Sequence, residues 1–490
     1  MTVVTQSHGD GLPSVEERQQ KLSVRIKLFQ ALGALPDTFK TFAFNTFLLL
    51  FYSQVLPLPA STASLALMLS VVLDAISDPL VGSYSDGLKT RLGRRHPLMY
   101  ASVIPLGLTL YFLFSPPAGL SQTQLFLWLL AFSSASRLAM TFFLVPWSAL
   151  FAELTDDYHE RSAIITYRYV LGALGGVLFI WCSWSFIFPA SEAFSKGQLN
   201  PEAYDTFALV IALAVSLTAL LTTQLTVGWV PRLRQPDKAR PFSVGIALRD
   251  VRLALANRDF LVLFVGLLLA SVLTGVVAGF EIYFHTYFWE FSPDDLRWLS
   301  LGGLGALFGA AIVGPLQARF DKKDVLLGSM LFSLTDGLCV VGARLLGFLP
   351  ENGDPLLLQL LVGNEFLRMA SLSVTVILFV SMVADTLDAQ ELKTGLRQEG
   401  VFSSAIAFSG KAVSGVGILV VGFMLDFIIR WPANAVPGEV NPQTVFDLGI
   451  FGGLLIPAFY LIPFYFATRY QITRERHAEI KRALAARTRS

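Results

Sequence analysis

Long apolar runs, each of a length that crosses a lipid bilayer, recur along the whole of this sequence. They fall at residues 27–56, 62–85, 98–115, 124–150, 163–189, 205–230, 260–288, 298–318, 325–348, 356–384, 401–428 and 446–468. A helix needs about 20 apolar residues to span the hydrocarbon core. About twelve such runs predict an all-α integral membrane protein.

Composition agrees. The chain has 490 residues, 54% hydrophobic and 15% charged, with a mean hydropathy of +0.59. A soluble chain carries about 25% charged residues, so there is too little polar surface here for water-soluble domains. The formal net charge of +1 gives no electrostatic case for a nucleic-acid partner. Cys182 and Cys339 both lie inside apolar runs, which argues against a disulfide framework or a cysteine metal site. The polar stretch at residues 1–21 lacks the apolar core of a cleavable signal peptide, so the first membrane helix is expected to do the targeting.

Orientation follows from the basic residues. Lys89, Arg91, Arg94 and Arg95 follow the second run. Arg232, Arg234, Lys238, Arg240, Arg249, Arg252 and Arg258 occupy the middle connection, and Arg469, Arg474, Arg476, Lys481, Arg482, Arg487 and Arg489 the tail. The alternate connections are poor in positive charge, residues 190–204 holding only Lys196. Both termini are therefore expected in the cytoplasm of a cell whose inner membrane the chain spans. The expected organisation is a tail at 1–22, a six-helix bundle at 23–230, a linker at 231–259, a second bundle at 260–468 and a tail at 469–490. The linker carries apolar residues at helical spacing over 244–260, as a surface-lying amphipathic helix would. A weak internal echo supports duplication: Gly82 and Asp86 with Arg94 and Arg95 end the second run, and Gly314 and Pro315 with Arg319, Asp321, Lys322 and Lys323 end the eighth. Two six-helix halves around a central loop describe the major facilitator fold.

Charges inside the runs carry the functional information, because each costs at least about 2.5 kcal/mol at the bilayer centre. Asp74 and Asp78 are four residues apart, hence on one helix face that Gly82 and Asp86 continue. Two such carboxylates repel unless a cation lies between them, one holds a proton, or a basic residue from another span neutralises them. Ser77 and Thr141 offer neutral oxygens suited to a hard cation. Asp37 and Lys40, three apart in the first run, form either a local pair or part of a ligand site, and Pro36 is expected to loosen that helix. Arg168 and Lys411 are deep, one in each half, as counter-charges for the acidic pair or as anchors for an anionic or polyol solute. Arg137, Asp336, Arg344, Glu365 and Arg368 stand equally between structural ion pairs and function. Gly410-Lys411-Ala412 lacks the other elements of a phosphate-binding loop, and no zinc-protease or serine-hydrolase motif is present. A nucleotide-driven pump, an enzyme and a cofactor are therefore not expected.

Three stretches resemble the glycoside–pentoside–hexuronide:cation symporter family, which includes the melibiose permease. They are Leu73–Gly82 continued by Arg91–Pro97, then Leu144–Leu150 with Asp156, Glu160 and Arg161, and then Val383–Asp388 running through Glu399 to Lys411. They occur in order, and the resemblance covers the chain from about residue 22. It implies cation-coupled symport of a sugar, glycoside or uronate by alternating access. Asp74, Asp78, Ser77 and Thr141 would bind Na⁺ or H⁺, Asp37, Arg168 and Lys411 would contact solute, and Lys411, Asp86, Arg94 and Arg95 would act in coupling or gating. Three positions depart from the pattern. Ser77 stands where the family has asparagine. Leu144 and Val376 replace an acid and a tryptophan that contact sugar in the melibiose permease. The vertebrate sodium-dependent lysophosphatidylcholine transporters resemble the chain at residues 74–82, 145–150 and around Lys411, which makes a lysolipid-like amphiphile the alternative cargo. A non-transporting receptor or enzyme is the alternative of another class. The expected partners are a small-molecule solute and membrane lipid, with neither nucleic acid nor an obligatory protein.

Overall fold

A computed structural model describes residues 21–155, 157–232, 258–394 and 415–489. The stretches that carry Asp156, most of the linker, Glu399 and Lys411 lie outside the described residues. Within them the chain is a bundle of long apolar helices. The first, α1, covers 24–55 in pieces: helices Val24–Ala31 and Ala34–Phe42, then π-helical turns Ala43–Leu48 and Phe51–Val55. There follow α2 (Ala60–Gly87), α3 (His96–Phe114), α4 (Gln122–Leu154), α5 (Tyr158–Cys182) and α6 (Pro201–Thr226). The second set is α7 (Arg258–Tyr283, continued by the π-helical turn Phe284–Phe288), α8 (Pro293–Arg319), α9 (Lys322–Leu345), α10 (Pro355–Thr394), α11 (Gly415–Ile429) and α12 (Pro442–Thr468). The tail forms α13 (Arg474–Arg489). Ten of these helices are long and apolar enough to cross a membrane, and α11 is a shorter apolar helix.

Local chemistry sets the helix ends. Ser121 and Gln124 make a reciprocal capping box at the start of α4, as Ser292 and Asp295 do for α8. Asn200–Pro201 and Asn441–Pro442 place a capping side chain before a proline whose missing N–H is needed by no helical partner. Pro36 stands third in its helix, Ala34–Phe42, with no capping side chain before it. The break it accompanies lies upstream at Leu32 and Gly33, so Pro36 sits in the first turn of a new helix rather than loosening an existing one. α10 continues to Thr394, ten residues past the apolar run that predicts it, because its last turns leave the apolar layer and dock α13.

The two halves repeat one set of neighbours. α2 packs on α4, α3 on α4 and on α6, and α1 on α5 and α6. Six helices later α8 packs on α10, α9 on α10 and α12, and α7 on α12 and α11. Small residues allow the closest crossings. A Cβ at Gly305 or Gly309 of α8 would strike the backbone carbonyl of Phe366 or Ala370 in α10. Backbones that approach this closely pack well without a hydrophobic driving force, which lipid does not supply.

Contacts between the halves concentrate at the ends of the helices away from the two termini, the distal side. There Ser53 shares a 2.6 Å hydrogen bond with Tyr283, and Gln54 Oε1 accepts from the Ala435 N–H at 3.1 Å. Asp426 accepts the Ser61 N–H at 2.7 Å, placing a carboxylate from the second half on the positive N-terminus of α2. The Lys196 ammonium donates to the carbonyls of Glu290 and Phe291, and Gln198 to Thr286 at 3.0 Å. A stack of Phe47, Phe51, Phe188, Tyr204 and Phe207 fills the first half at this level. Among the described residues the ion pairs on the terminal side stay within one half: Lys27–Glu160, Arg94–Glu153 and Arg95–Asp86 in the first, Lys322–Asp385 and Arg474–Asp321 in the second. This conformation is therefore closed on the distal side.

The α8–α10 crossing gives a direct test. Gly305→Ala should cost about 1–3 kcal/mol by overpacking, read as a lower midpoint of thermal unfolding in detergent. Gly314→Ala, on the same helix but facing open space, should be neutral or slightly stabilising.

Candidate cation and solute site

Asp74 and Asp78 project from one face of α2 toward α4. Thr141 stands between them: its hydroxyl oxygen lies 2.9 Å from Asp74 Oδ1 and 2.9 Å from Asp78 Oδ1, and 3.2 Å from the Arg137 carbonyl. A hydroxyl has one proton and can donate it to only one of these acceptors at a time. The second carboxylate contact is favourable only if that carboxyl carries a proton, or if a cation or a basic side chain neutralises the oxygens. Asp74 and Thr141 are buried and Asp78 is half-buried. Pro79, one residue beyond, has no N–H, which leaves the Ala75 carbonyl without its helical donor beside the pair. Ser77 is placed differently from Thr141. Its hydroxyl donates at 3.0 Å to the carbonyl of Asp74, one turn back along α2, and not to a carboxylate.

A cavity of about 690 Å³ opens beside this group, between the halves. Asp37, Lys40, Asp74, Arg137 and Thr141 line its first-half wall. Asp37 and Lys40 are ion-paired at 3.1 Å and both face the cavity, so the local pair and the cavity position coexist. The Arg137 guanidinium lies 5.1 Å from the centre of the Phe44 ring and donates to Ser70 at 3.0 Å. The opposite wall mixes aliphatic residues, among them Leu267, Leu326, Leu372, Val376 and Ile418, with Ser271, Ser333, Asp336, Arg368 and Thr375. Leu144 and Val376, the two positions that depart from the melibiose permease, both line the cavity. It runs from mid-depth, at Leu49 and Gly279, to the terminal-side ends of α7, α9 and α12, at Val262, Leu326 and Ala467.

Arg168 is outside that lining. Its Nε donates to Gln30 Oε1 at 2.6 Å and its Nη2 to the Trp147 carbonyl at 3.2 Å, with the guanidinium 3.9 Å from the Trp147 ring centre. The Trp147 indole donates back to the Gln30 carbonyl at 2.8 Å. Arg168 thus ties α1, α4 and α5 together. Lys411 lies outside the described residues. Arg344 holds its own loop through Pro350 and Asn352, both at 2.8 Å.

Asp86, Arg94 and Arg95 do come together, around a residue that sequence reasoning missed. Glu153, at the end of α4, accepts from Arg94 at 2.7 Å and from Arg95 at 2.8 Å, while Arg95 also reaches Asp86 at 2.6 Å and Ser85 at 2.9 Å. The signal was a lone acid in an apolar helix end, opposite a double arginine. Glu281 and His285 of α7 were missed as well, and the same signal, ionisable groups inside an apolar run, marks them. The Glu153 side chain is 7% exposed and that of Asp86 is 47% exposed, so the two acids should differ in weight. Glu153→Gln leaves two arginines without their shared anion and should lower stability by about 3 kcal/mol. Asp86→Asn should cost less than about 1 kcal/mol, both read by thermal unfolding.

Comparison with known proteins agrees with this architecture. The chain is 26% identical to the putative glycoside/cation symporter YagG of Escherichia coli, over 86% of each chain. It is 28% identical to the mouse sodium-dependent lysophosphatidylcholine symporter 1, covering 84% of this chain and 79% of that one. The nucleoside transporter NupG shares its fold, with a TM-score of 0.60 at 12% identity, over 92% of this chain and all of that one. The model of the family described as MFS/sugar transport protein matches residues 29–474, nearly the whole chain, and the protein belongs to that major facilitator family.

Proposed function

We propose that this multi-pass transporter couples a cation, bound by Asp74, Asp78 and Thr141, to the movement of an organic solute that joins a polar head to an apolar body. The observation that carries the cation half is the single Thr141 proton facing two carboxylates. A proton or Na⁺ resolves that conflict, and relatives named as cation and sodium-dependent symporters support the same reading. The Thr141 turn also supplies the coupling. Arg137 sits one turn earlier on α4, gives its carbonyl to the Thr141 hydroxyl and presents its guanidinium to the cavity. Discharging Asp74 changes the field on Arg137 and thereby the wall that meets solute. Couplings of this kind are typically about 1–3 kcal/mol.

The solute half rests on the cavity walls. Asp37, Lys40 and Arg137 offer hydrogen bonds and charge on one side, while the wall opposite is an aliphatic surface interrupted by Ser271, Ser333, Asp336, Arg368 and Thr375. A glycoside with an apolar aglycone fits both, and the glycoside/cation relative supports it. A lysolipid-like amphiphile is the second reading. It is favoured by the apolar lining that continues through Val262, Leu263 and Ala467 to the terminal side. With Arg168 outside the lining, a uronate carboxylate would be met by Lys40 or Arg137. Residues 23–230 and 260–468 act as the rocking bundles. The basic residues of the terminal side put both termini in the cytoplasm of a cell inner membrane, so the conformation described faces inward.

Na⁺ alone tests the cation site. At about 100 times its dissociation constant a ligand stabilises its folded protein by about 2.7 kcal/mol. Na⁺ should raise the thermal unfolding midpoint of the wild type, and Asp78→Asn should abolish that shift while still folding. An equal Na⁺ shift in the variant would remove Asp78 from the site. If acid pH produces the shift and Na⁺ does not, the coupling ion is the proton. For the solute, an aryl glycoside should bind at least about tenfold tighter than its parent sugar. Equal calorimetric affinities would exclude the apolar-body reading, and binding of lysophosphatidylcholine alone would decide for the amphiphile.

A further inference from the structure

The second half contains a charged chamber with no counterpart in the reading above. It is a partly open cavity of about 150 Å³ between α7, α8, α9, α10 and α12, whose polar lining is Glu281, His285, Asp336, Asn364, Glu365 and Arg368. Asp336 and Arg368 also line the large cavity, so the chamber communicates with the solute space. Arg368 spends its guanidinium on two acids, reaching Glu281 at 2.6 Å and Glu365 at 2.7 Å. Asp336 is left with one long hydrogen bond, 3.4 Å from the Asn364 amide. The lining thus holds three carboxylates against a single guanidinium. α12 contributes Gly452, Gly453 and Pro457 to the lining, none of them ionisable, while its Tyr460 hydroxyl lines the large cavity and is shared with Thr274 at 3.2 Å.

His285 is the independent second feature. It lies one turn after Glu281 on α7 and faces the chamber, with its ring 6.1 Å from that of Phe291. Neither of its ring nitrogens has a hydrogen-bond partner among the described residues. An imidazole nitrogen either accepts or donates a proton, and here it looks into a space already too negative. Ionisable groups at this depth carry a large penalty unless each charge is balanced.

We propose that this chamber is a proton-binding site, separate from the Asp74–Asp78 pair, in which Asp336 takes a proton from the solute cavity and shares it with Glu365 and His285. Uptake forms one O–H bond on a carboxylate and breaks one on hydronium, and release reverses it. No metal is required: Arg368 already occupies the centre of the carboxylate set. Through Arg368, which faces solute as well as proton, the load on the second half responds to cargo. The carrier then holds one ion in each half.

Infrared difference spectroscopy of the full chain in phosphatidylcholine vesicles, stepped in pH without Na⁺, tests the site with no solute. It is run in an Asp74→Asn/Asp78→Asn background, so that failure of the first-half site cannot affect the result. A protonated-carboxyl band at neutral pH should persist there and be lost in Asp336→Asn. Glu365→Gln should shift or weaken it, giving a second reading if the first variant does not fold. A band unchanged by both substitutions, or absent from the background protein, would overturn the proposal. So would its removal on adding Na⁺, which would make the chamber a metal-cation site.

Discussion

A hydroxyl group has one proton, and Thr141 sets that proton before two carboxylates in a helix bundle that lipid surrounds. Water at a protein surface would relieve the conflict at little cost. In the interior the deficit can be met only by a proton, a cation or a basic side chain, and the first two arrive from outside. The geometry that creates the deficit is local and cheap to encode: four residues of α2 for the acids, and a neighbouring turn of α4 for the hydroxyl. Much of the remaining architecture holds that turn of α4 in register, from the α2–α4 packing to the Glu153 anchor at the far end of the same helix.

Alternating access requires that the halves separate on one side while they remain joined on the other. The distal joint is made of polar contacts that are individually weak and few, including Ser53–Tyr283, Gln54–Ala435 and Asp426 on the α2 N-terminus. Each can be replaced by water when the joint opens, so none traps the protein. The terminal-side ion pairs are different. Arg94, Arg95 and Glu153 are charged and lie within one half, so they brace that half without joining it to the other. Asp86, Arg94 and Arg95, expected in gating from the motif, pair through Glu153 within one half in this conformation.

The fold was legible in the sequence because bilayer thickness fixes helix length and charge bias fixes alternation, both of which survive without knowledge of packing. The Asp74–Asp78 face was legible for the same reason: helical periodicity alone puts both carboxylates on one side. The partners were not. Thr141 lies sixty-three residues from Asp78 and meets it only through the α2–α4 crossing. Arg168 shows the opposite failure. It is charged and deep, which reads as a solute anchor, yet its Nε and Nη2 donate to Gln30 and Trp147 and its cationic face lies over the Trp147 ring. Whether a buried charge is available depends on its neighbours' hydrogen bonds, and those are tertiary facts. Glu281 and His285 escaped because four aromatic and aliphatic residues around them, Phe280, Ile282, Tyr283 and Phe284, dominate the local pattern.

The same logic bears on cargo. Specificity for a hydroxylated ring comes from polar groups that would be left unpaired by the wrong solute, and such groups are costly to keep in a cavity. This cavity keeps Asp37, Lys40 and Arg137 on one wall and Asp336 and Arg368 on the other, with aliphatic surface between them. Leu144 and Val376 add aliphatic surface where a galactoside carrier places an acid and an indole, so the protein has exchanged part of its hydrogen-bonding specificity for apolar area. Apolar area discriminates weakly between shapes, by about 1–3 kcal/mol per methylene-sized difference. A carrier built this way should tolerate variation in the apolar body of its solute and be strict about the head that meets Lys40 and Arg137. The strict end lies beside Asp74, which is where an ion can change what the solute meets.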